Sequence, residues 1–297
     1  MRTPGTRPFY KYASPATALK VLETGTFRYS SPLKFNDPFD IQSGLHFDFD
    51  TGTLHDKVLN ALEVLASAPT EPPVDHEDVW GKIVLEARKY VPKYGFPKAR
   101  WREATADLFG RLEVTIRQTQ ADYKQHWRVK MLPGIRVFCV SEDRDNLLMW
   151  AHYAQDHKGL VFELWSLPAE DNPLSVAQPI DYVDLPPPFF TEAEWIDDFM
   201  GIKKLDSGAL YRKYAYAKSS DWDYEKEWRV WYPFSTSESY DYSQINPNEL
   251  KAVYIGCQAE TNFRATVLAE LANKFPGTRA FQAHKSQTHY RLEYTDA

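Results

Sequence analysis

A long block of charged helical sequence interrupts an otherwise strand-rich chain, and this interruption constrains the fold more than any other feature. Between residues 52 and 131, apolar residues recur at helical spacing, as in LHDKVLNALEVLA, with charged residues between them. On either side of this block, short apolar runs such as GIRVFCVSED and KGLVFELW have the length and composition of strands. We therefore expect an α+β core domain formed by residues 1–51 and 132–297, with residues 52–131 as a helical insertion.

The spacing of the strand-like runs favours particular pairings within this core. The runs outnumber the helices that could serve as crossovers, and several are close neighbours in sequence. Mixed, mostly antiparallel sheets are therefore more probable than a doubly wound parallel sheet. We expect one sheet system to contain five of these runs, at residues 9–13, 27–31, 135–141, 159–165 and 227–233.

Composition and charge restrict the partners of the chain. Hydrophobic residues make up 43% and charged residues 26% of the 297 positions, which is typical of a globular protein. We find neither an apolar run long enough to span a bilayer nor a signal peptide, so we expect a cytoplasmic protein with no membrane partner. The net charge of −6 argues against an extensive nucleic-acid interface, although it does not exclude a local basic groove.

Cysteine and histidine placement argues against disulfides and metal sites. Cys139 and Cys257 each lie in an apolar, strand-like run, so we expect buried free thiols. His152 and His157 are five residues apart on a predicted helix, a spacing that splays the two side chains. We therefore predict no metal site. The common phosphate-loop, dinucleotide-binding, hydrolase and zinc-protease motifs do not occur in the sequence.

Three segments of the sequence resemble an uncharacterised, mainly bacterial family. They are FNDPFD at residues 35–40, the stretch around MWAHYA at residues 149–154, and YEKEWR at residues 224–229. As a set they are similar to domain-of-unknown-function family 2971. That family does not itself supply a reaction.

A more remote resemblance suggests one. FYKYASPATALKVLETGTFRYSSP resembles the first strand, helix and second strand of the ADP-ribosyltransferase superfamily, and VFCVSEDRDNLLMWAHY resembles its second motif. YEKEWRVW is similar to the third motif, in which a Glu opens an apolar strand. The resemblance implies an ADP-ribosyltransferase-like core that consumes NAD as its substrate. This chain departs from the pattern in placing Lys11 where many members have His or Arg.

The same resemblance implies roles for individual residues. Glu227 would stabilise the positive charge that forms on the ribose, and Glu225 would activate an acceptor. Lys11 or Tyr12 would hold the ribose, while Trp150 or Tyr153 would stack on the nicotinamide. The full set of expected cofactor-binding residues is Lys11, Tyr12, Ser30, Asn36, Trp150, Tyr153 and Arg229.

The residues alone leave alternatives open at these positions. Alternate side chains of a strand share a face, so Glu225, Glu227 and Arg229 would form a charged stripe. That stripe is either an exposed face or one wall of a polar cleft. Trp150 and Tyr153 also fit the core-facing side of an amphipathic helix. Asn36 and Asp37 also fit a turn in which the side chains bond their own backbone.

Three functional hypotheses follow. The first is an NAD-consuming ADP-ribosyltransferase or NAD glycohydrolase, in the role of a toxin or antiphage effector, whose acceptor would be a protein or nucleic acid. The second is an RNA-processing or RNA-binding protein that does not use NAD. The third is a noncatalytic module that senses a ligand, NAD or another nucleotide, through an aromatic cleft.

Overall fold

The computed structural model describes residues 4–43, 46–233 and 238–297. The chain divides into two compact units. The first unit contains the chain up to Gln42 together with Met131–Pro186 and Tyr216–Ala297. The second unit contains Ser43–Lys130 and Pro187–Ala215.

The described residues form both strands and helices. The strands are β1 (Arg7–Ala13), β2 (Thr26–Ser30), β3 (Ile135–Ser141), β4 (Leu160–Ser166), β5 (Gln178–Pro179), β6 (Asp181–Val183), β7 (Ala217–Ser219), β8 (Glu227–Pro233), β9 (Tyr240–Gln244), β10 (Leu250–Ile255), β11 (Arg279–Lys285) and β12 (Leu292–Asp296). The α-helices are α1 (Pro15–Thr24), α2 (Leu54–Ser67), α3 (Val79–Ala87), α4 (Val91–Tyr94), α5 (Lys98–His126), α6 (Leu132–Gly134), α7 (Leu147–His152), α8 (Glu192–Phe199), α9 (Ser207–Ala215) and α10 (Thr261–Lys274).

One large sheet organises the first unit. Its strand order is β12-β11-β10-β4-β1-β3-β2-β9, and β8 pairs with β3 and β5. The β10–β11 pair is parallel and every other described pair of this sheet is antiparallel, while β6 and β7 form a separate parallel pair. The predicted α+β fold with mostly antiparallel pairing is confirmed. The five predicted strands correspond to β1, β2, β3, β4 and β8 of this sheet.

The sheet opens around β3. β3 pairs with β8 along its whole length, from Ile135↔Pro233 to Ser141↔Glu227. In contrast, among the described residues β3 meets β1 only at Tyr10↔Ser141 and meets β2 only at Ser30↔Val137. Because β3 diverges from both neighbours, space remains between strands that would otherwise be in contact.

Local sequence determines where the first helix, α1, begins and ends. The Ser14 side chain accepts a hydrogen bond from the Thr17 amide at the N-terminus of α1, and Pro15 occupies the first turn. Gly25 ends the helix in the left-handed conformation, with φ of 65°. Between these ends, Val21 and Leu22 are buried in the main apolar core.

The second unit is helical. A core of Val58, Leu62, Val84, Phe109 and Met200 binds its helices together. No strand occurs between residues 52 and 131, all of which the structure describes. None of the described helices, including the 29-residue α5, is both long and apolar enough to cross a membrane.

The division between the units differs from the predicted boundaries in two stretches. Residues 43–51, predicted to belong to the core domain, belong to the helical unit, and so do residues 187–215. The physical reason is the apolar side of α8, where Trp195, Ile196 and Phe199 pack against the core of that unit. Helix α8 follows a proline-rich stretch and lies far from residues 52–131 in sequence. The sequence therefore did not reveal that α8 packs with the helical unit.

The two cysteines are both free thiols. The prediction of free thiols is confirmed, but each thiol is half-buried rather than buried as predicted. Cys139 lies in β3 as expected, whereas Cys257 lies two residues beyond the end of β10. The Gly256 turn carries the chain out of the strand before the thiol is reached.

A steric test follows from the contact between β1 and the turn before β4. A Cβ atom at Gly159 would lie 2.0 Å from the Ala13 carbonyl oxygen, whereas one at Gly277 would have no atom within 4 Å. Gly159→Ala should lower the free energy of unfolding by about 2–3 kcal/mol. Gly277→Ala should change it by less than about 0.5 kcal/mol. Urea denaturation of both variants checks this, and equal stabilities would show that the contact is not as close as described.

Candidate functional site

A cavity of about 480 Å³ lies in the first unit, where β1 and β3 diverge. Its walls come from β1, β2, β3, the turn after β2, α7 and the segment leading into β8. A volume of this size is typical of small-molecule sites. We call it the first cavity.

Five charged residues are buried together beside this cavity. They form what we call the charge cluster, and none is more than 7% exposed: Asp40, Lys218, Glu225, Glu227 and Arg229. Asp40, Lys218, Glu225 and Glu227 line the cavity, whereas Arg229 does not. Isolated buried charges are costly, so their close pairing is what makes this burial possible.

Glu227 is bound from two sides. Its Oε1 accepts a hydrogen bond from Arg229 Nε at 2.6 Å, and its Oε2 accepts from Lys218 Nζ at 2.9 Å and from Arg229 Nη2 at 3.1 Å. Burial opposes ionisation of this carboxyl group, but Arg229 and Lys218 outweigh burial and hold its pKa well below the ordinary value. Glu227 is therefore a fixed negative charge.

Glu225 and Asp40 complete the cluster from opposite sides. Lys218 Nζ lies 2.5 Å from Glu225 Oε2 and 3.7 Å from Asp40 Oδ2, and Arg229 Nη2 donates to Asp40 Oδ2 at 2.5 Å. Burial raises the pKa of both carboxyl groups, and in each case this effect exceeds the attraction of the neighbouring cation. Three carboxyl groups face two cations, so one of them can hold a proton.

Tyr153 connects Glu225 to α7 and the turn after β2. The Tyr153 hydroxyl donates to Glu225 Oε1 at 2.5 Å, and the Asn36 side chain lies next to the same hydroxyl. Because both Tyr153 and Glu225 line the first cavity, a ligand there could exchange a proton with Glu225.

Asp40 has an unused acceptor. Its Oδ1 is buried and makes no hydrogen bond with any described residue, although the side chain lines the cavity. Buried polar atoms are nearly always paired, so this oxygen is placed to accept a hydrogen bond from a ligand or a water in the cavity.

Glu225 lies in a segment before β8 whose backbone conformation the sequence did not reveal. Residues Ser220–Glu225 form a 3₁₀ helix, and Lys226 adopts a left-handed conformation with φ of 44°. The strand begins only at Glu227. The predicted strand alternation of Glu225 with Glu227 is therefore wrong, and the two carboxylates are joined through Lys218 instead.

Backbone contacts fix this 3₁₀ segment. Ser141 Oγ at the end of β3 donates to the Glu225 carbonyl at 2.6 Å, and Asn146 Nδ2 donates to the Tyr224 carbonyl at 2.8 Å. Asn146 also caps α7, since its Oδ1 accepts from the Leu148 and Met149 amides. The same residues thus position Tyr153 and Glu225 relative to each other.

Cations and aromatic rings occupy the rest of the cavity wall. Lys11 Nζ donates to the Cys139 carbonyl at 2.7 Å, and burial lowers the pKa of this amine. Arg28 and Lys34 also line the cavity and are exposed to solvent. Tyr10, Phe35 and Tyr153 supply rings.

Most of the predicted site residues meet in this cavity. Those that line it are Glu225, Glu227, Lys11, Tyr12, Ser30, Asn36 and Tyr153. Glu225, Glu227 and Arg229 are all buried, so the alternative of an exposed charged face is wrong. Arg229 lies outside the wall and acts through Glu227 and Asp40.

Trp150 is the clear exception. It is fully buried, its Nε1 donates to the Arg144 carbonyl at 2.9 Å, and its ring stacks parallel to His157 rather than lining the cavity. Trp150 is therefore a core residue and is not placed to stack on a ligand in the first cavity. Among the two aromatic candidates on this segment, only Tyr153 reaches it.

Sequence reasoning placed neither Asp40 nor Lys218 in a charge cluster. Asp40 is the last residue of FNDPFD, so its place in a recognised motif was a usable signal. In that motif Asp37 has the turn role, because its Oδ1 accepts a hydrogen bond from the Phe39 amide at 2.8 Å. Tyr182 was also missed; its hydroxyl accepts from the Glu227 amide at 2.7 Å.

Comparison with known proteins gives one match. The family model described as Protein of unknown function (DUF2971) matches residues 149–230. The resemblance to that family is confirmed over this range, which contains MWAHYA and YEKEWR. No curated protein matches the chain, and no solved structure matches it. Similarity to the ADP-ribosyltransferase superfamily stays a prediction.

The pairing within the charge cluster predicts a large effect from removing one cation. Arg229→Gln leaves Asp40 and Glu227 buried without their main partner, so the free energy of unfolding should fall by about 3–5 kcal/mol. The matched control is Arg279→Gln, because Arg279 pairs with Asp296 at 3.4 Å on the surface. The control should cost less than about 1 kcal/mol. Similar losses in both variants, measured by urea denaturation, would contradict the description of the cluster.

The raised pKa of Glu225 predicts a pH dependence. The folded state holds this proton to higher pH than the unfolded state, so the stabilisation is complete below the unfolded-state pKa of about 4.3 and is lost as pH rises through the folded-state pKa. Glu225→Gln removes this loss. The stability of the variant relative to wild type should therefore increase as pH rises above about 4.3. A relative stability that falls as pH rises, measured by denaturation across that range, would show that folding does not raise the pKa of Glu225.

Proposed function

We propose that the protein is an enzyme that cleaves the nicotinamide–ribose bond of NAD, as an ADP-ribosyltransferase or an NAD glycohydrolase. The observation that carries this proposal is a single cavity lined by three buried carboxyl groups, by cations and by aromatic rings. NAD presents a matching set of groups: a ribose that becomes cationic, an anionic pyrophosphate and two flat rings.

The charge cluster supports the first step of this reaction. When the nicotinamide leaves with the bonding electron pair, positive charge develops on the ribose. Fully ionised, the cluster carries three negative and two positive charges, so its net charge is −1 at the cavity wall. A fixed negative charge in a buried site stabilises such a cation without needing to reorganise.

The second step needs a group that takes a proton. When water or an acceptor attacks the ribose carbon, its O–H or N–H proton passes to Glu225, which can carry it because burial raises its pKa. Glu227 cannot exchange roles with Glu225, since Arg229 and Lys218 keep it ionised. The two carboxyl groups thus have separate tasks, one electrostatic and one in proton transfer.

Other wall residues are suited to holding the substrate. The unpaired Asp40 Oδ1 can accept a hydrogen bond from a ribose hydroxyl. Arg28 and Lys34 can contact the pyrophosphate, because both are exposed cations at the same cavity. Lys11 can contribute its remaining N–H donors, since its amine also binds the Cys139 carbonyl. Tyr153 offers a ring fixed by its bond to Glu225.

Substitution of Glu227 tests this mechanism. Glu227→Gln should lower NAD turnover, measured as released nicotinamide, by about two to three orders of magnitude, with a much smaller effect on NAD binding. The control is Glu249→Gln, because Glu249 is buried to a similar degree but bonds to Asn172 away from the cavity. The control should retain turnover. Undiminished turnover in Glu227→Gln would refute the mechanism.

Glu225→Gln separates transfer from hydrolysis. Transfer to a weakly nucleophilic acceptor depends on an activated nucleophile more than hydrolysis does, so the ratio of transfer to hydrolysis should fall.

A wild-type protein that releases no nicotinamide, yet retains RNA in a strongly salt-dependent way, would instead support the RNA-binding alternative.

A further inference from the structure

A second cavity, of about 560 Å³, lies in the first unit and shares no lining residue with the first cavity. Its walls come from the loop before β4, from the turn after β10 and from the connection between β11 and β12. None of its lining residues is Asp or Glu, whereas two are Lys285 and Arg291. The wall is therefore cationic.

These two cations are available to a ligand. In the described part of the chain, the Lys285 side chain makes no hydrogen bond or ion pair, although its charge acts on His157 and Cys257. Arg291 faces Glu293 at 3.4 Å with both side chains more than half exposed. An exposed pair of this kind is weak and yields readily to a better-placed anion.

His157 adds an unsatisfied polar atom to the same wall. Its Nδ1 is buried and has no hydrogen-bond partner among the described residues. The ring is held parallel to Trp150, with centroids 6.0 Å apart, and the backbone carbonyl accepts from the Gln258 amide at 3.0 Å. The imidazole is thus fixed in place with one nitrogen unused.

The backbone around His157 is strained. Gln155, Asp156 and His157 adopt positive φ values of 50°, 56° and 63° in succession, and none of them is glycine. Such conformations are costly for ordinary residues and concentrate at ligand-binding segments. The turn after β10 packs tightly against this segment, because a Cβ atom at Gly256 would lie 2.0 Å from the His157 carbonyl oxygen.

An aromatic ring lies at the wall of the second cavity. Tyr290 lines it and is fully exposed. Ser286 and Thr288, from the same connection, supply hydroxyl groups. Cations and hydroxyls suit a phosphate group, and an exposed ring suits a flat base.

We propose that the second cavity is a nucleotide-binding site separate from the first. Lys285, Arg291 and the His157 imidazole bind the phosphate groups, and Tyr290 stacks on the base. This site does not depend on NAD chemistry in the first cavity, and its ligand need not be a substrate.

A titration with a site-specific readout tests this proposal. The imidazole signal of His157, assigned with His157→Gln, is followed by NMR in the full chain during titration with ADP, inorganic pyrophosphate and adenosine. ADP and pyrophosphate should shift the signal, and ADP should bind more tightly than either fragment. In Lys285→Gln/Arg291→Gln the affinity for ADP should fall by about tenfold or more, because contacts to charged groups are lost. Both positions are exposed, so the variant should fold normally.

Matched controls assign the effect to this cavity. Arg28→Gln/Lys34→Gln removes two cations from the first cavity and should leave the ADP affinity reported by His157 unchanged. Tyr290→Ala should weaken ADP binding but not pyrophosphate binding, and equal ADP affinity in this variant would overturn the stacking of the base. Absence of any His157 shift at millimolar ADP, or an unchanged affinity in Lys285→Gln/Arg291→Gln, would overturn the site. Neither result bears on nicotinamide release, so failure here is distinct from failure of the proposed function.

Discussion

Five buried charges must pair with one another, and much of the first unit is arranged to let them do so. The charge cluster draws on distant parts of the chain: Asp40 from the turn after β2, Lys218 from β7, Glu225 from the segment before β8, and Glu227 and Arg229 from β8 itself. Burial of an unpaired carboxylate costs several kcal/mol, so displacement of any one segment exposes the others to that cost. The cluster therefore specifies where these segments meet. It does not need to add much net stability to have this effect.

The cluster gains chemical meaning from its place at the opening of the sheet. Because β3 diverges from β1 and β2, the side chains on these strands border a cavity rather than a closed core. The carboxyl groups of Asp40, Glu225 and Glu227 then face a ligand instead of a closed protein core. The same wall holds Glu227, whose pKa is lowered, and Glu225, whose pKa is raised, although only one residue separates them in sequence. The difference arises from their partners, since Arg229 contacts Glu227 on both of its oxygens.

Sequence reasoning could predict the parts of this arrangement that depend on local pattern. The five strands, the end of α1 at Gly25 and the position of Glu227 at the start of β8 follow from periodicity and turn chemistry. Asp40 could not be found in this way, because its role depends on an arginine 189 residues later in the chain. The family resemblance implied a ligand contact for Trp150, and the residues alone left a core position open, because an aromatic residue on a short helix fits a cavity wall as well as a core. Only the packing of α7 shows that Tyr153 faces the cavity and Trp150 does not.

The most direct test of the charge cluster is the titration of its two glutamates. Carbon-13 NMR of the side-chain carboxyl groups, assigned with Glu225→Gln and Glu227→Gln, reports each protonation separately. Glu225 should titrate above the ordinary glutamate pKa of about 4.3, and Glu227 should remain ionised well below it. That result would establish one fixed anion and one proton carrier at the same cavity. Two glutamates that both titrate near the ordinary value would contradict it, and would mean that neither carboxyl group is held as described.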